Sequence, residues 1–168
     1  MSIKKRESNK APATRRVPRS GEQQTRGESP RDAFVAEIIG VDLRRKEHLQ
    51  KQLRQGFSID VLTALTAAYG LEQKTMSRVL RIPTSTLTRR KKTGDKLRPS
   101  ESDSALRYAR LLASAVRLME GDRKAASRWM VEPKALLNGE SPLDWAETET
   151  GARDVENLIG RLEQGLFS

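Results

Sequence analysis

Cysteine is absent from the 168-residue chain. That excludes disulfides, thiolate nucleophiles and Cys-ligated zinc, and it fits a reducing cytoplasm. Histidine is almost absent. His48 stands alone among Arg44, Arg45, Lys46, Glu47 and Lys51, the surroundings of a solvated helix face rather than of a ligand. There is no Gly-rich phosphate loop and no pair of carboxylates on an otherwise apolar surface. No catalytic residue, metal ligand or cofactor site is therefore expected, and the chain does not read as an enzyme. No apolar run approaches the roughly 20 residues of a membrane span. The basic amino-terminal stretch lacks the apolar segment of a secretory signal. The expectation is a cytoplasmic protein with no membrane partner. Alternating strand patterns are also missing, which leaves an all-α chain.

What the chain does have is positive charge, net +10, unevenly placed. Residues 1–31 hold nine Lys/Arg against three Glu, net +6, with almost nothing to bury. Such a segment cannot offset the entropy of ordering and is expected to be disordered. Two readings of it stay open, an arm that touches nucleic acid and a solubilising tail. Residues 72–98 carry nine Lys/Arg against Glu72 and Asp95, net +7. Residues 130–168 carry three Lys/Arg against eight Asp/Glu, net −5. One end suits a polyanion and the other does not.

The helix signals follow in order. Pro30 or Asp32 starts a segment through Phe34, Ile38 and Ile39 that ends at Gly40. Residues 42–55 form a charged helix with a narrow Leu43, Leu49, Leu53 stripe. Ser58 caps a helix with Ile59, Leu62, Leu65 and Tyr69 on one side, stopped at Gly70. Glu72 to Leu80 and Thr84 to Lys92 are two short helices separated by Arg81-Ile82-Pro83. That is the spacing of a helix-turn-helix, with Ile82 as the buried turn residue and Arg81 where many such turns carry Gly. Thr84, Ser85 and Thr86 stand at the amino-terminal end of the second helix, where base edges are met. Arg89, Arg90, Lys91 and Lys92 follow, suited to phosphates or guanine. The alternative is a solvated charged helix in a protein-binding domain.

Ser100 is expected to cap a long helix, with Asp103 in the capping-box place, ending at Gly121. Asp122 to Met130 forms the next helix, with Ala125, Ala126 and Trp129 inward and Trp129 joining two lobes. Ser141-Pro142 is a helix start. Thr148 caps a second helix with Ala152, Val155, Leu158, Ile159 and Leu162 on one face, and Gly165 fits a left-handed stop. Leu166, Phe167 and Ser168 follow. Either they fold back on their own core or they are kept for a partner. Arg161 and Glu163 are either contacts to a polar pocket or parts of an exposed helix face.

The order of these residues resembles a known family. Trp129, Pro133, Leu136, Leu137, Gly139, Pro142, Leu143, Thr148, Gly151-Ala152, Val155, Leu158, Arg161, Glu163 and Gly165 fall where Xre/MbcA/ParS antitoxins carry their toxin-binding region. Gly56, Thr86-Leu87, Arg89-Arg90, Leu97, Glu101-Ser102-Asp103, Arg107 and Ala109-Arg110 match the half before it. The resemblance runs from about residue 53 to 168, roughly two thirds of the chain. It implies an Xre-like helix-turn-helix domain followed by a small helical toxin-binding region. The implied division is a tail at 1–31, a helical segment at 32–55, the helix-turn-helix domain at 56–120 and the toxin-binding domain at 121–168.

The resemblance further implies an antitoxin that does no chemistry itself. It would neutralise a RES-domain toxin that consumes NAD or transfers ADP-ribose, by blocking the NAD pocket. Leu158, Arg161, Leu162, Glu163, Gly165, Leu166, Phe167 and Ser168 would be the toxin-facing residues. A homodimer would bind operator DNA and repress its own operon. A stand-alone helix-turn-helix repressor without a toxin partner is the alternative.

Overall fold

The computed structural model describes residues 29–165, and within them the chain is helical with no strand. The basic tail expected over 1–31 lies almost wholly outside the described residues, as do Leu166, Phe167 and Ser168.

Chain order gives α1 (Pro30–Ile39), α2 (Lys46–Gln55), α3 (Asp60–Tyr69), α4 (Gln73–Val79), α5 (Thr84–Thr93), α6 (Pro99–Leu118), α7 (Arg123–Val131), a 3-10 turn (Ala135–Leu137), α8 (Pro142–Trp145) and α9 (Glu149–Glu163). Most starts are where the capping residues put them. Ser29 Oγ accepts the Asp32 N–H and Pro30 takes the first turn of α1. Asp122 accepts the N–H groups of Lys124 and Ala125, both at 2.9 Å. Ser141 and Thr148 accept from Asp144 and Gly151. Each such bond satisfies an N–H that has no partner within the helix.

The α6 start differs from expectation. Pro99, not Ser100, opens the helix. The Glu101 carboxylate, not that of Asp103, reaches back to accept the Arg98 N–H at 2.6 Å. Proline needs no N–H partner at the first helical position, so the helix begins two residues earlier than a Ser100 cap would set it, and its third residue becomes Glu101.

Helix α6 is the spine. Ala105, Leu106, Tyr108, Ala109, Leu111, Leu112, Ala113 and Ala115 along it are all buried. Around it pack α1, α2, α3, α7 and α9. A helix apolar over so much of its circumference must sit inside others. Tyr69 of α3 donates its hydroxyl to the Tyr108 carbonyl at 2.9 Å, and the two rings meet edge-on at 80°. The Tyr108 hydroxyl donates to the Leu143 carbonyl at 3.3 Å, tying α6 to α8. Burial pushes the Tyr108 phenol up to about 12 and raises that of Tyr69 as well.

It is this tyrosine pair, and not Trp129, that sits at the junction. Trp129 is half-buried, with the Lys134 ammonium 5.4 Å from its ring centre. Its neighbour Met130 is the fully buried residue, beside Ala126. The inward stripe of α7 is thus rotated one residue from the expected one.

Two close backbone approaches fix the connections. Gly56 has φ 83° and no room for a side chain, since a Cβ there would lie 1.9 Å from the Leu97 carbonyl oxygen. Leu97 N–H donates to the Phe57 carbonyl, and Phe57 N–H to Ser102 Oγ, both at 2.9 Å. The link before α3 is thereby pinned to the link before α6. Gly151 in the first turn of α9 has no space either, with the Trp145 carbonyl oxygen 1.8 Å from the ideal Cβ.

Candidate DNA interface and toxin-facing surface

In the α4–α5 pair the turn residue Ile82 is buried, as expected from its place between two short helices. Arg81 carries the turn at φ 55°, the left-handed conformation that glycine usually supplies. The strain is offset by hydrogen bonds on both sides. Arg81 N–H donates to Arg78 at 2.9 Å, Ile82 N–H to Ser77 at 2.8 Å, and the Ser77 hydroxyl bonds the Ile82 carbonyl. Helix α5 then leaves Thr84, Ser85, Thr88, Arg89, Lys91 and Lys92 exposed, with Thr86 half-buried. No side chain caps its start. Hydroxyls and open N–H groups at one end with exposed cations in the turns after them are a composition that suits phosphates and base edges.

Arg90 is a correction. Its side chain is 5% exposed and its guanidinium is bonded to Glu101, itself 9% exposed. It cannot reach a phosphate while it holds that carboxylate. The reason is helical geometry: Arg90 follows Leu87 by three residues and shares its inward face. Arg89, on the outer face, is paired only loosely with Asp95 at 3.2 Å, and both side chains are about half exposed or more.

The carboxyl-terminal surface meets this motif directly. Arg81 reaches Glu147 at 2.9 Å, and Arg78 reaches Asp144 at 3.4 Å. Both carboxylates belong to α8 and the link after it. Arg107 of α6 approaches Glu149 at the start of α9 at 3.5 Å. The acidic end of the chain therefore begins against the rim of the basic one.

Helix α9 is amphipathic. Ala152, Val155, Leu158 and Ile159 are buried, Leu162 is half-buried, and Arg161 is exposed. Leu158 was expected to face a partner, and it is a core residue instead, 2% exposed. Its own periodicity with Val155, Ile159 and Leu162 turns it inward. Glu163 is held in a two-pronged pair by Arg117 of α6, both contacts at 2.7 Å. Gly165 has the left-handed φ expected of it, 66°. The 3-10 turn, α8 and α9 together border an open groove of about 500 Å³ lined by Leu136, Leu137, Trp145, Asp154, Asn157 and Arg161. Sequence reading did not single out Trp145 and Asp154. The signal for them was their nine-residue separation across two capped helices that pack as a pair.

These two surfaces coincide with two known domain families. Residues 48–110 match the antitoxin Xre-like helix-turn-helix domain. Residues 114–165 match the antitoxin Xre/MbcA/ParS C-terminal toxin-binding domain. An antitoxin Xre of Yersinia enterocolitica is 38% identical over 130 residues, 77% of this chain and 88% of its own length. The chain belongs to the Xre antitoxin family. A second antitoxin Xre, of Photorhabdus laumondii, is 31% identical over the same shares of both chains. A more distant relative, from Sphingobium, is named a Prs ADP-ribosylating antitoxin; it is 23% identical over 69% of this chain and 78% of its own. This antitoxin thus joins a DNA-binding motif to a toxin-binding domain. Among its described residues no helix is long and apolar enough to cross a membrane, and no group of His, Asp and Glu is placed to hold a metal ion.

Proposed function

We propose that the antitoxin neutralises a RES-domain toxin that consumes NAD or transfers ADP-ribose, by laying the segment from Leu158 to Ser168 across the entrance to the NAD pocket. The observation that carries this reading is the toxin-binding family match, whose matched residues stop at 165, where Gly165 turns the chain out of α9. The relative named a Prs ADP-ribosylating antitoxin supports a partner with ADP-ribose chemistry. Within the segment, Leu158 acts as the buried footing of α9, while Arg161 and the residues after Gly165 make the contacts. Glu163 takes part only by sharing or leaving Arg117.

The antitoxin acts as a cytoplasmic homodimer on a palindromic operator and represses its own operon. The exposed hydroxyl-and-cation face of α5 supports this, and the half-sites stand about one helical turn apart or a multiple of it. Removing residues 165–168 tests the plug. Melting temperature and operator affinity should stay near those of the whole chain, while suppression of NAD consumption by the toxin is lost. Full suppression by the shortened chain would move the inhibitory contact back into α9.

A further inference from the structure

The loop before α8 is closed on itself. Lys134 N–H donates to the Glu140 carbonyl at 2.9 Å, and Gly139 N–H donates back to the Lys134 carbonyl at 3.0 Å. Asn138 and Gly139, at φ 54° and 82°, turn the chain through this ring. Leu137 is its root, buried at 3% exposure, and Leu136 points the other way at 59%. Among the described residues Leu136 is the large apolar side chain left exposed.

A single exposed leucine is ordinary on a protein surface. Two features set this one apart. The loop that carries it is fixed by its own hydrogen bonds, so little conformational freedom is lost when something covers it. It also stands on the edge of the groove shared with Trp145, whose indole N–H donates to Asp154 at 3.2 Å and is held in place by it. A rigid apolar anchor beside a fixed aromatic is the composition of an interface centre.

The lining selects the occupant. Asp154 and Arg161 line the groove from α9, one charge of each sign, beside the apolar Leu136, Leu137 and Trp145. A mixed lining of this kind suits a protein surface rather than a polyanion. Arg161 also belongs to the segment proposed to contact the toxin, and the groove lies within the residues matched as toxin-binding, so the toxin is the occupant.

We propose that Leu136 is the apolar anchor by which the antitoxin docks its toxin, seated in an apolar socket. The proposal rests on the toxin-binding reading above and extends the contact from Arg161, on the segment over the NAD pocket, across the groove to the loop before α8.

The test uses full-length antitoxin and the protein encoded by the gene beside it, with affinity measured by calorimetry. Leu136→Ser and Leu136→Asp should leave melting temperature and operator affinity unchanged, because the side chain is in solvent. Toxin affinity should fall roughly 30-fold or more, the loss expected of a central anchor. Unchanged affinity of Leu136→Asp overturns the anchor while leaving the toxin reading intact. So does a variant that falls from dimer to monomer by mass measurement yet binds the toxin as before, since a second copy would then be the occupant. Absence of binding by the unsubstituted antitoxin overturns the toxin reading itself and the anchor with it.

Discussion

Replacing Arg90 with Ala should destabilise the antitoxin without touching its DNA contacts, the reverse of what a cation in a basic helix suggests. The Glu101 carboxylate accepts from the Arg90 guanidinium and from the Arg98 N–H, and it sits where water scarcely reaches. Removing the cation leaves a buried carboxylate with a single donor. Breaking such a pair costs about 3–5 kcal/mol. Against a total stability of about 5–15 kcal/mol, that is roughly a fifth or more of what holds the chain folded. The melting temperature should drop by about 6–20 °C. Arg89→Ala is the control. Its pair with Asp95 is solvent-exposed, and such pairs contribute about 0–1 kcal/mol. Urea unfolding followed by circular dichroism gives the stabilities. Operator affinity across a salt series, under conditions where both variants are folded, gives the phosphate contacts. Arg89→Ala should lower the log–log salt slope by about one unit; Arg90→Ala should leave it unchanged. Replacing Arg90 and Glu101 together with Met should recover much of the loss, because no unpaired charge remains. A stable Arg90→Ala protein with a reduced salt slope would refute the reasoning and return Arg90 to the DNA face.

Three glycines offer a second test by thermal melting. Gly56→Ala and Gly151→Ala each drive a Cβ into a backbone carbonyl and should cost roughly 1–3 kcal/mol or more, whereas Gly160→Ala meets nothing within 4 Å and should stabilise by about 0.5–1 kcal/mol. In α7, Met130→Ala should cost about 2–5 kcal/mol, against about 1 kcal/mol for the half-buried Trp129. The Arg44 side chain and N–H hold the Asp42 carboxyl down at about 2 instead of 3.8. A depressed carboxyl adds stability that is complete above its unfolded value and lost as pH falls through its folded one, so Asp42→Asn should flatten the stability profile between about pH 4 and pH 2.

Much of the fold was legible because caps are local. Pro30, Asp122, Ser141-Pro142 and Thr148 name their helices from within four residues. The α6 start was misplaced because Pro99 and Ser100 both fit a start, and only the reach of Glu101 separates them. The outer face of α5 was legible, since Thr84, Ser85, Arg89, Lys91 and Lys92 all stand in solvent. Arg90 was read from its charge when its three-residue spacing from Leu87 placed it inward. Leu158 was a similar case, where the helical period outweighs proximity to the end of the helix. Trp129 and Met130 could not be told apart in this way, because Ala125–Trp129 and Ala126–Met130 make equally good stripes. Only the packing against α6 selects the second. The clasp of Arg78 and Arg81 on Asp144 and Glu147 spans 66 residues and leaves no local trace.

The two domain families that describe this antitoxin end at residue 110 and resume at 114, and both positions lie inside α6, a single unbroken helix from Pro99 to Leu118. The boundary seen in families is thus not a boundary in space. A cut there divides a buried rod, strips α7 and α9 from the half that reads DNA, and leaves each piece with a raw apolar flank. Recombination between related genes meets the same obstacle. A crossover inside α6 yields a folded hybrid only if both parents present the same buried face around the joint, so preference for an operator and preference for a toxin should tend to be inherited as one trait. A designer wishing to graft a new toxin specificity onto this DNA reader would do better to keep α6 whole and exchange residues on the outer faces of the loop before α8 and of α9.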